Sequence, residues 1–90
     1  MKKQVQVYYS GRVQGVGFRF TAQDIAAKYL ITGFVRNLPD RRVEVVAEGE
    51  ESEIRFFLDR LYSEMRLHID KFNVNWSEGS GNFSSFTIKY

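Results

Sequence analysis

Apolar and polar residues alternate near the start of the chain, and the spacing then changes to that of a helix. Residues 5–9 alternate in this way, which predicts a first strand that ends at Ser10-Gly11. From about Phe18 the apolar positions recur with helical spacing until Thr32-Gly33, which predicts a first helix over this stretch. Its apolar stripe consists of Ala22, Ile25, Ala26, Tyr29 and Leu30.

The rest of the chain predicts a hairpin, a second helix and closing strands. Two short Val-rich runs, 33–36 and 43–47, flank the turn-like segment 37–42 and predict the hairpin. Apolar residues between 54 and 65 recur with helical spacing behind the acidic pair Glu50-Glu51, which predicts the second helix. Alternation at 72–76 and at 86–90, on either side of a turn at 78–82, predicts one or two closing strands.

The order β, α, β, β, α, β, with an optional extra C-terminal strand, indicates the α+β class. It predicts a ferredoxin-like α/β sandwich, in which an antiparallel sheet carries two helices on one face. Ninety residues support one hydrophobic core, so residues 1–90 are expected to form a single domain. The apolar positions assigned to this core, rather than to chemistry, are Phe57, Leu58, Leu61, Phe86 and Ile88.

Composition is typical of a soluble globular protein. Apolar residues make up 43% of the chain and aromatic residues 16%, with a single proline, which excludes disordered and fibrous classes. There is no cysteine, so disulfide frameworks and thiolate chemistry are excluded, and a cytoplasmic location is expected. The N-terminal alternation differs from the unbroken apolar run of a signal peptide, and no apolar stretch has membrane-spanning length.

Charge is distributed unevenly between the two halves of the chain. Residues 1–42 hold eight Lys or Arg and two acids, a net charge of +6, whereas residues 43–90 hold five and nine, a net charge of −4. This asymmetry favours an anionic ligand in the first half, unless folding mixes the two halves into an evenly charged surface.

The stretch GRVQGVGFR at residues 11–19 carries the candidate chemistry. Glycine is favoured where φ is positive or where another group approaches the backbone closely. A loop between a strand and the start of a helix points several N–H groups, and the positive end of the helix dipole, at one spot that suits phosphate. Arg19, in the first helical turn, adds charge-assisted hydrogen bonds. The alternative is a tight connection that leaves Arg19 in solvent.

Other motifs fit this stretch less well. It lacks the Gly-Lys-Ser/Thr end of a Walker A loop, and Phe20 stands where a dinucleotide fingerprint needs a third glycine. Residues 14–20 are similar to an aromatic ribonucleoprotein motif, but that motif lies on a central strand after the first helix. His68, the single histidine, has no carboxylate or cysteine pattern around it, so no metal site is expected.

Three motifs together resemble the acylphosphatase family. They are residues 11–19, GFVRN at 33–37 and VEVVAEG at 43–49, and the similarity covers essentially the whole chain. The resemblance implies a hydrolase of carboxyl-phosphate mixed anhydrides, on a ferredoxin-like fold, that needs no metal or other cofactor. It implies a small-molecule acyl phosphate as substrate and inorganic phosphate as product and inhibitor. We expect a monomer that binds neither nucleic acid nor membrane.

The resemblance also implies roles for individual residues. The phosphoryl group would be held by the guanidinium of Arg19 and by main-chain amides of Gln14, Gly15, Val16, Gly17 and Phe18. Asn37 would orient the attacking water with its side chain. Few groups suffice because an acyl phosphate has a good carboxylate leaving group, and the proton can pass to the substrate's own phosphate. Taken without the resemblance, Asn37 is more simply a turn former.

Two positions depart from the family pattern. The family commonly has Asp-Gly in the hairpin turn, whereas Asp40 is followed here by Arg41. A positive φ at Arg41 would carry strain of about 1 kcal/mol, unless the turn is reshaped. The family also often has Gly-Pro after the second helix, whereas residues 63–68 are SEMRLH, which leaves the end of that helix open.

Two functions of other classes remain as alternatives. One is a noncatalytic anion-binding or regulatory module that retains the phosphate-binding loop. The other is an RNA-binding module, which is supported by a pI near 9.0 and by the aromatic pair Tyr8-Tyr9.

Overall fold

A computed structural model describes residues 2–90, which form five strands and two α-helices. A short 3₁₀ turn, Arg66–His68, follows the second helix directly. No helix within the described part of the chain is long and apolar enough to span a membrane. In chain order the elements are β1 (Lys2–Gly11), α1 (Phe18–Ala26), β2 (Ile31–Asn37), β3 (Val43–Glu50), α2 (Glu51–Met65), β4 (Ile69–Glu78) and β5 (Phe86–Lys89).

The five strands form one sheet with the order β4-β1-β3-β2-β5. The predicted hairpin β2–β3 is antiparallel, as are the pairs β1–β3 and β1–β4. β5 pairs with β2 in parallel at one edge, so the sheet is mixed and not wholly antiparallel as predicted. The two closing strands therefore lie at opposite edges of the sheet, a placement that the sequence analysis left open. β4 pairs with the free edge of β1, and β5 pairs with the free edge of β2. The alternation of apolar residues within a strand does not indicate which edge that strand will pair with.

The core lies between the sheet and the two helices, which contact each other. The alternation that predicted β1 is confirmed, because Val5, Val7 and Tyr9 are buried while their neighbours are partly exposed. Phe57 and Leu61 of α2 are fully buried, as predicted. The other residues assigned to the core, Leu58, Phe86 and Ile88, are partly buried and pack against it.

Helix α1 is shorter than its apolar spacing predicted. It ends at Ala26, and residues 27–30 form a turn that leads into β2. Tyr29 still packs against the core from this turn, whereas Leu30 is 80% exposed. Leu30 donates its N–H to Oε1 of Glu53 in α2, at 2.9 Å, so an acceptor outside α1 has replaced the helical one. The helical spacing of apolar residues extends beyond the end of α1 because a residue in a turn, such as Tyr29, can also pack against the core.

A buried carboxylate, Glu48 of β3, fixes the connection between β4 and β5. Its side chain accepts hydrogen bonds from Gln4 Nε2, from both Oγ and N–H of Ser80, and from the N–H of Gly81. Burial alone would raise the pKa of Glu48, but the hydrogen bonds from Ser80, Gln4 and Gly81 outweigh it and lower that pKa. The chain beyond β4 is thereby held against the centre of the sheet before it turns back as β5.

Candidate active site

The loop between β1 and α1 has two glycines in the left-handed region. Gly15 has φ 76° and Gly17 has φ 80°. A Cβ added at either position would meet no atom within 4 Å, so crowding does not explain these glycines. The backbone conformation does, because other residues adopt it only at a cost of about 1–2 kcal/mol. The sequence prediction of positive φ here is confirmed.

The N-terminus of α1 has no side-chain cap. Gly17 precedes the first helical residue, Phe18, and accepts the first helical hydrogen bond from Thr21 N–H, at 2.9 Å. The N–H groups at the start of a helix have no acceptor within it, and the helix dipole adds partial positive charge at the same end. This end of α1 can therefore donate several hydrogen bonds to an anion.

A cavity of about 260 Å³ lies at this helix end. Its size is close to the lower limit of about 300 Å³ that is usual for small-molecule sites, which suits a compact ligand. Two apolar side chains, Val13 and Phe20, complete its wall. Five of the seven residues in the predicted site line it: Gly15, Gly17, Phe18, Arg19 and Asn37.

Arg19 is half-buried in this cavity and carries an uncompensated charge. No carboxylate lies within ion-pair distance of it among residues 2–90. Arg36 and Arg42 of the same half differ, since Arg36 pairs with Glu44 and Arg42 pairs with Asp40. Arg12 and Arg41, like Arg19, have no such pair within residues 2–90. Folding therefore neutralises part of the positive charge in the first half, as the alternative interpretation allowed. The charge that remains at Arg19 is available to an anionic ligand.

Asn37 is the last residue of β2 and lies opposite Val43 in the hairpin. Its Oδ1 is buried and has no hydrogen-bond partner, and no other side-chain polar atom of residues 2–90 is in this state. Asn37 lines the cavity, and buried acceptors are nearly always satisfied, so this residue holds an acceptor that the described chain leaves available to a ligand or a water. Rotation of the carboxamide toward the cavity would bring this acceptor within reach of a bound water.

The other two predicted residues, Gln14 and Val16, line a neighbouring depression with Arg12 and Arg41. Val16 is 36% exposed. Gln14 points its side-chain amide at the β2–β3 hairpin, where Nε2 donates to the carbonyl oxygens of Leu38 and Arg42, each at 2.9 Å. The sequence analysis did not foresee this contact, because a side-chain bond to a distant main chain leaves no periodic signal.

The hairpin turn keeps its shape although Arg41 replaces glycine. Arg41 has φ 76°, so of the two alternatives left open by the sequence, a strained positive φ and a reshaped turn, the structure shows the positive φ. The turn is closed by hydrogen bonds from Arg41 N–H to Leu38 O, at 3.1 Å, and from Leu38 N–H to Arg42 O, at 2.8 Å. The chain therefore tolerates the strain at Arg41 instead of reshaping the turn, and Asn37 remains next to it.

The remaining candidate residues lie apart from this cavity. Residues 2–90 contain no group of three or more His, Cys, Asp or Glu side chains placed to hold a metal ion, and His68 lies in the 3₁₀ turn. Tyr9 is 2% exposed, and burial raises the pKa of its hydroxyl. Its ring packs on Phe18 and Phe72, so it is not free to stack on a nucleotide base.

Comparison with known proteins decides between the families that such a site could represent. A family model described as acylphosphatase matches residues 5–88. The chain belongs to the acylphosphatase family.

Acylphosphatases of several microorganisms are similar to this family member over nearly their whole length. The acylphosphatase of Methanospirillum hungatei is 43% identical over 88 residues, which cover 97% of each chain. The acylphosphatase of Lactobacillus gasseri is 38% identical over 90 residues, which cover 98% of this chain and 99% of the other. The resemblance stated from the three sequence motifs is thereby confirmed.

Solved acylphosphatase structures have the same fold. The crystal structure of acylphosphatase from Bacillus subtilis superposes with a TM-score of 0.87 at 32% identity, covering 98% of this chain and 99% of that one. A T. kodakarensis HypF structure superposes with a TM-score of 0.83 at 32% identity, covering 97% of this chain but 12% of HypF. The fold thus occurs both as most of a chain and as a small part of a much larger one.

Proposed function

We propose that this acylphosphatase hydrolyses the carboxyl-phosphate anhydride of acyl phosphates, with Arg19 and Asn37 as its catalytic residues. Family membership supports the activity, and one observation supports the residue assignment. The cavity at the start of α1 combines an arginine without a counter-ion and a buried carboxamide oxygen without a hydrogen-bond partner. These are the two groups that such a reaction needs, one for the phosphoryl charge and one for the attacking water.

Binding of the phosphoryl group is the task of the loop and of Arg19. The equatorial oxygens of the phosphoryl group carry the developing charge, and hydrogen-bond donors fixed before the reaction stabilise it. The proposed donors are the main-chain N–H groups of residues 14–18 and the planar guanidinium of Arg19. Of these residues, Gly15, Gly17, Phe18 and Arg19 line the cavity. These donors hold the phosphoryl group in place for in-line attack.

Asn37 places the attacking water. A carboxamide offers an acceptor and two donors, so Oδ1 can accept from the water while the amide nitrogen contacts a phosphoryl oxygen. No strong base is required, because the carboxylate leaves readily and the substrate's own phosphate takes the proton from the water. The P–O bond to the acyl group breaks as the bond from water to phosphorus forms, which yields a carboxylate and inorganic phosphate.

Several finer properties belong to the same proposal. Inorganic phosphate, as product, competes for the phosphoryl position and inhibits the enzyme. Residues 1–90 form one acylphosphatase domain that acts as a monomer in the cytoplasm, with no bound cofactor and no nucleic acid or membrane partner. The absence of cysteine supports the cytoplasmic location, and the small cavity supports a compact phosphorylated ligand.

Steady-state hydrolysis of benzoyl phosphate tests the activity directly. The expected result is turnover that is unchanged by a chelator and competitively inhibited by inorganic phosphate. We expect Arg19→Ala to lower kcat/KM by about 10² to 10³, the usual effect of removing one donor to a developing oxyanion. Arg12→Ala is the matched control, because Arg12 lies in the neighbouring depression and should leave kcat/KM within about twofold.

A noncatalytic phosphate-binding module is the second candidate, favoured by the similarity to a small part of HypF. Folded protein that binds inorganic phosphate but leaves benzoyl phosphate intact would establish this alternative and reject the hydrolase. Near-normal turnover of Arg19→Ala would instead keep the hydrolase and reject the role given to Arg19.

A further inference from the structure

Tyr90, immediately after β5, touches the proposed site through Arg19. The guanidinium carbon of Arg19 lies 4.9 Å from the centre of the Tyr90 ring. The parallel register of β2 and β5 explains this position. Arg36 of β2 pairs with Lys89, the last residue of β5. The residues that follow these two in the chain are Asn37 and Tyr90. β5 therefore brings Tyr90 to the same end of the sheet as Asn37.

The kind of contact matters for an arginine that must bind an anion. A carboxylate partner would occupy the in-plane N–H groups of the guanidinium and cancel its charge. An aromatic ring attracts the cation through its face and leaves the N–H edge unoccupied. Arg36 and Arg42 are each held by a carboxylate, whereas Arg19 has only a ring as its charge-specific contact within the described residues. Its donors thus remain available to a phosphoryl group.

We propose that Tyr90 is a positioning residue that orients the Arg19 guanidinium toward the phosphoryl group. The inference rests on the proposed function of Arg19 and extends it to the end of β5. The aromatic ring of Tyr90 orients Arg19, and the hydroxyl of Tyr90 has no part in this role. An exposed cation–π contact corresponds to a factor of about two to five in an equilibrium constant, and this is the size of the expected effect.

The exposure of Tyr90 separates this role from a structural one. Its side chain is 93% exposed, so it contributes almost nothing to the core. Replacement of the ring should therefore leave the unfolding temperature unchanged. Trp76 offers a matched control, because its ring lies 4.9 Å from the guanidinium carbon of Arg55 at the opposite edge of the sheet.

The test measures inorganic phosphate binding by calorimetry and hydrolysis of benzoyl phosphate in Tyr90→Leu, Tyr90→Phe and Trp76→Leu. We expect Tyr90→Leu to weaken phosphate binding about threefold and to raise KM by a similar factor. Tyr90→Phe should behave as the parent protein, and Trp76→Leu should leave phosphate binding unchanged. In the Arg19→Ala background, Tyr90→Leu should not lower the residual kcat/KM further, because the ring has no guanidinium to hold.

Two results would overturn the inference. Phosphate binding by Tyr90→Leu equal to that of the parent protein would show that the ring does not orient Arg19. Equal losses in Tyr90→Phe and Tyr90→Leu would assign the effect to the hydroxyl. A parent protein that binds phosphate without hydrolysing benzoyl phosphate would reject the proposed activity alone, since the binding ratio still decides the role of Tyr90.

Discussion

Nε2 of Gln14 lies 2.9 Å from the carbonyl oxygen of Leu38, and this hydrogen bond joins the loop between β1 and α1 to the turn that follows Asn37. The same nitrogen donates to the carbonyl oxygen of Arg42, on the other side of the turn. The two parts of the proposed site are therefore positioned relative to each other by one side chain that does not line the cavity. The loop thus has two sides, since the side-chain amide of Gln14 faces the hairpin while Gly15 and Gly17 line the cavity.

Replacement of Gln14 should loosen this link. In Gln14→Ala the two carbonyl oxygens keep their main-chain partners but lose a shared donor, at a cost of about 1–2 kcal/mol in the free energy of unfolding. We also expect kcat/KM to fall about tenfold, because the loop and Asn37 no longer share a fixed separation. Urea denaturation and benzoyl phosphate kinetics check both effects, with Gln23→Ala on the exposed side of α1 as control. Unchanged kinetics in a destabilised variant would mean that the link serves stability alone.

Replacement of Asn37 should affect turnover and spare binding. In Asn37→Ala the water loses its acceptor, so we expect kcat to fall by about 10² while the inhibition constant of inorganic phosphate stays within about twofold. Because Oδ1 is unpaired in the folded chain, its removal breaks no internal hydrogen bond and should not reduce stability. A parallel loss of phosphate affinity would contradict this division and give Asn37 a structural role.

Arg41 offers a stabilising substitution. Its φ of 76° is favourable only for glycine, so Arg41→Gly should raise the free energy of unfolding by about 0.5–1 kcal/mol, after the greater chain entropy of glycine is subtracted. Arg41→Ala removes the same charge but keeps the strain, and its stability should stay near that of the parent protein. Thermal unfolding of the three proteins at one pH makes the comparison. Equal stability of the glycine and alanine variants would show that the turn is not strained.

Glu48 should make stability depend on pH in the acid range. Its pKa is lower in the folded chain than the ordinary value of 4.5, so the unfolded chain binds the proton more tightly. The stabilisation is complete well above pH 4.5 and is lost as the pH falls through the lower, folded-state value. Glu48→Gln should unfold more easily at pH 7, by about 1–3 kcal/mol, because Ser80 and Gly81 lose a charged acceptor.

Urea denaturation of the parent protein and Glu48→Gln between pH 7 and pH 3 measures this difference. The gap between the two proteins should narrow as the pH falls, whereas a constant gap would mean that Glu48 does not titrate in this range. Glu78→Gln is a suitable control, because the carboxylate of Glu78 is exposed and pairs with Lys3 at the surface.

The sequence predicted those parts of the site that local chemistry determines. Gly15 and Gly17 indicate a backbone conformation that other residues avoid, and Arg19 places a positive charge next to the start of a helix. Both signals can be recognised from the sequence alone. Asn37 is different, because turn formation explains it equally well and only the resemblance to a family gave it a role. The structure adds the unpaired Oδ1, which is a property of its surroundings and not of its residue type.

The rest of the fold depends on contacts that the local pattern does not contain. The alternation in β4 and β5 predicted one or two closing strands, but their placement at opposite edges follows from the register with β1 and β2. The end of α1 was misplaced because Tyr29 packs on the core from a turn. Gln14 was predicted to bind the ligand with its main-chain N–H. The hydrogen bond from its side chain goes to Leu38, 24 residues further along the chain, and could not be predicted from the local sequence.

The separation of the cavity residues along the chain affects when the proposed site can form during folding. The cavity brings residues near position 15 together with Asn37, which lies in a different strand of the sheet, so the proposed site forms only when the β1–α1 loop and β2 have packed together. Contacts between distant segments form slowly, because the chain must close large loops before they contribute stability. Catalytic activity should therefore appear only in chains that have folded completely. Chains that contain only early helices or hairpins should show none.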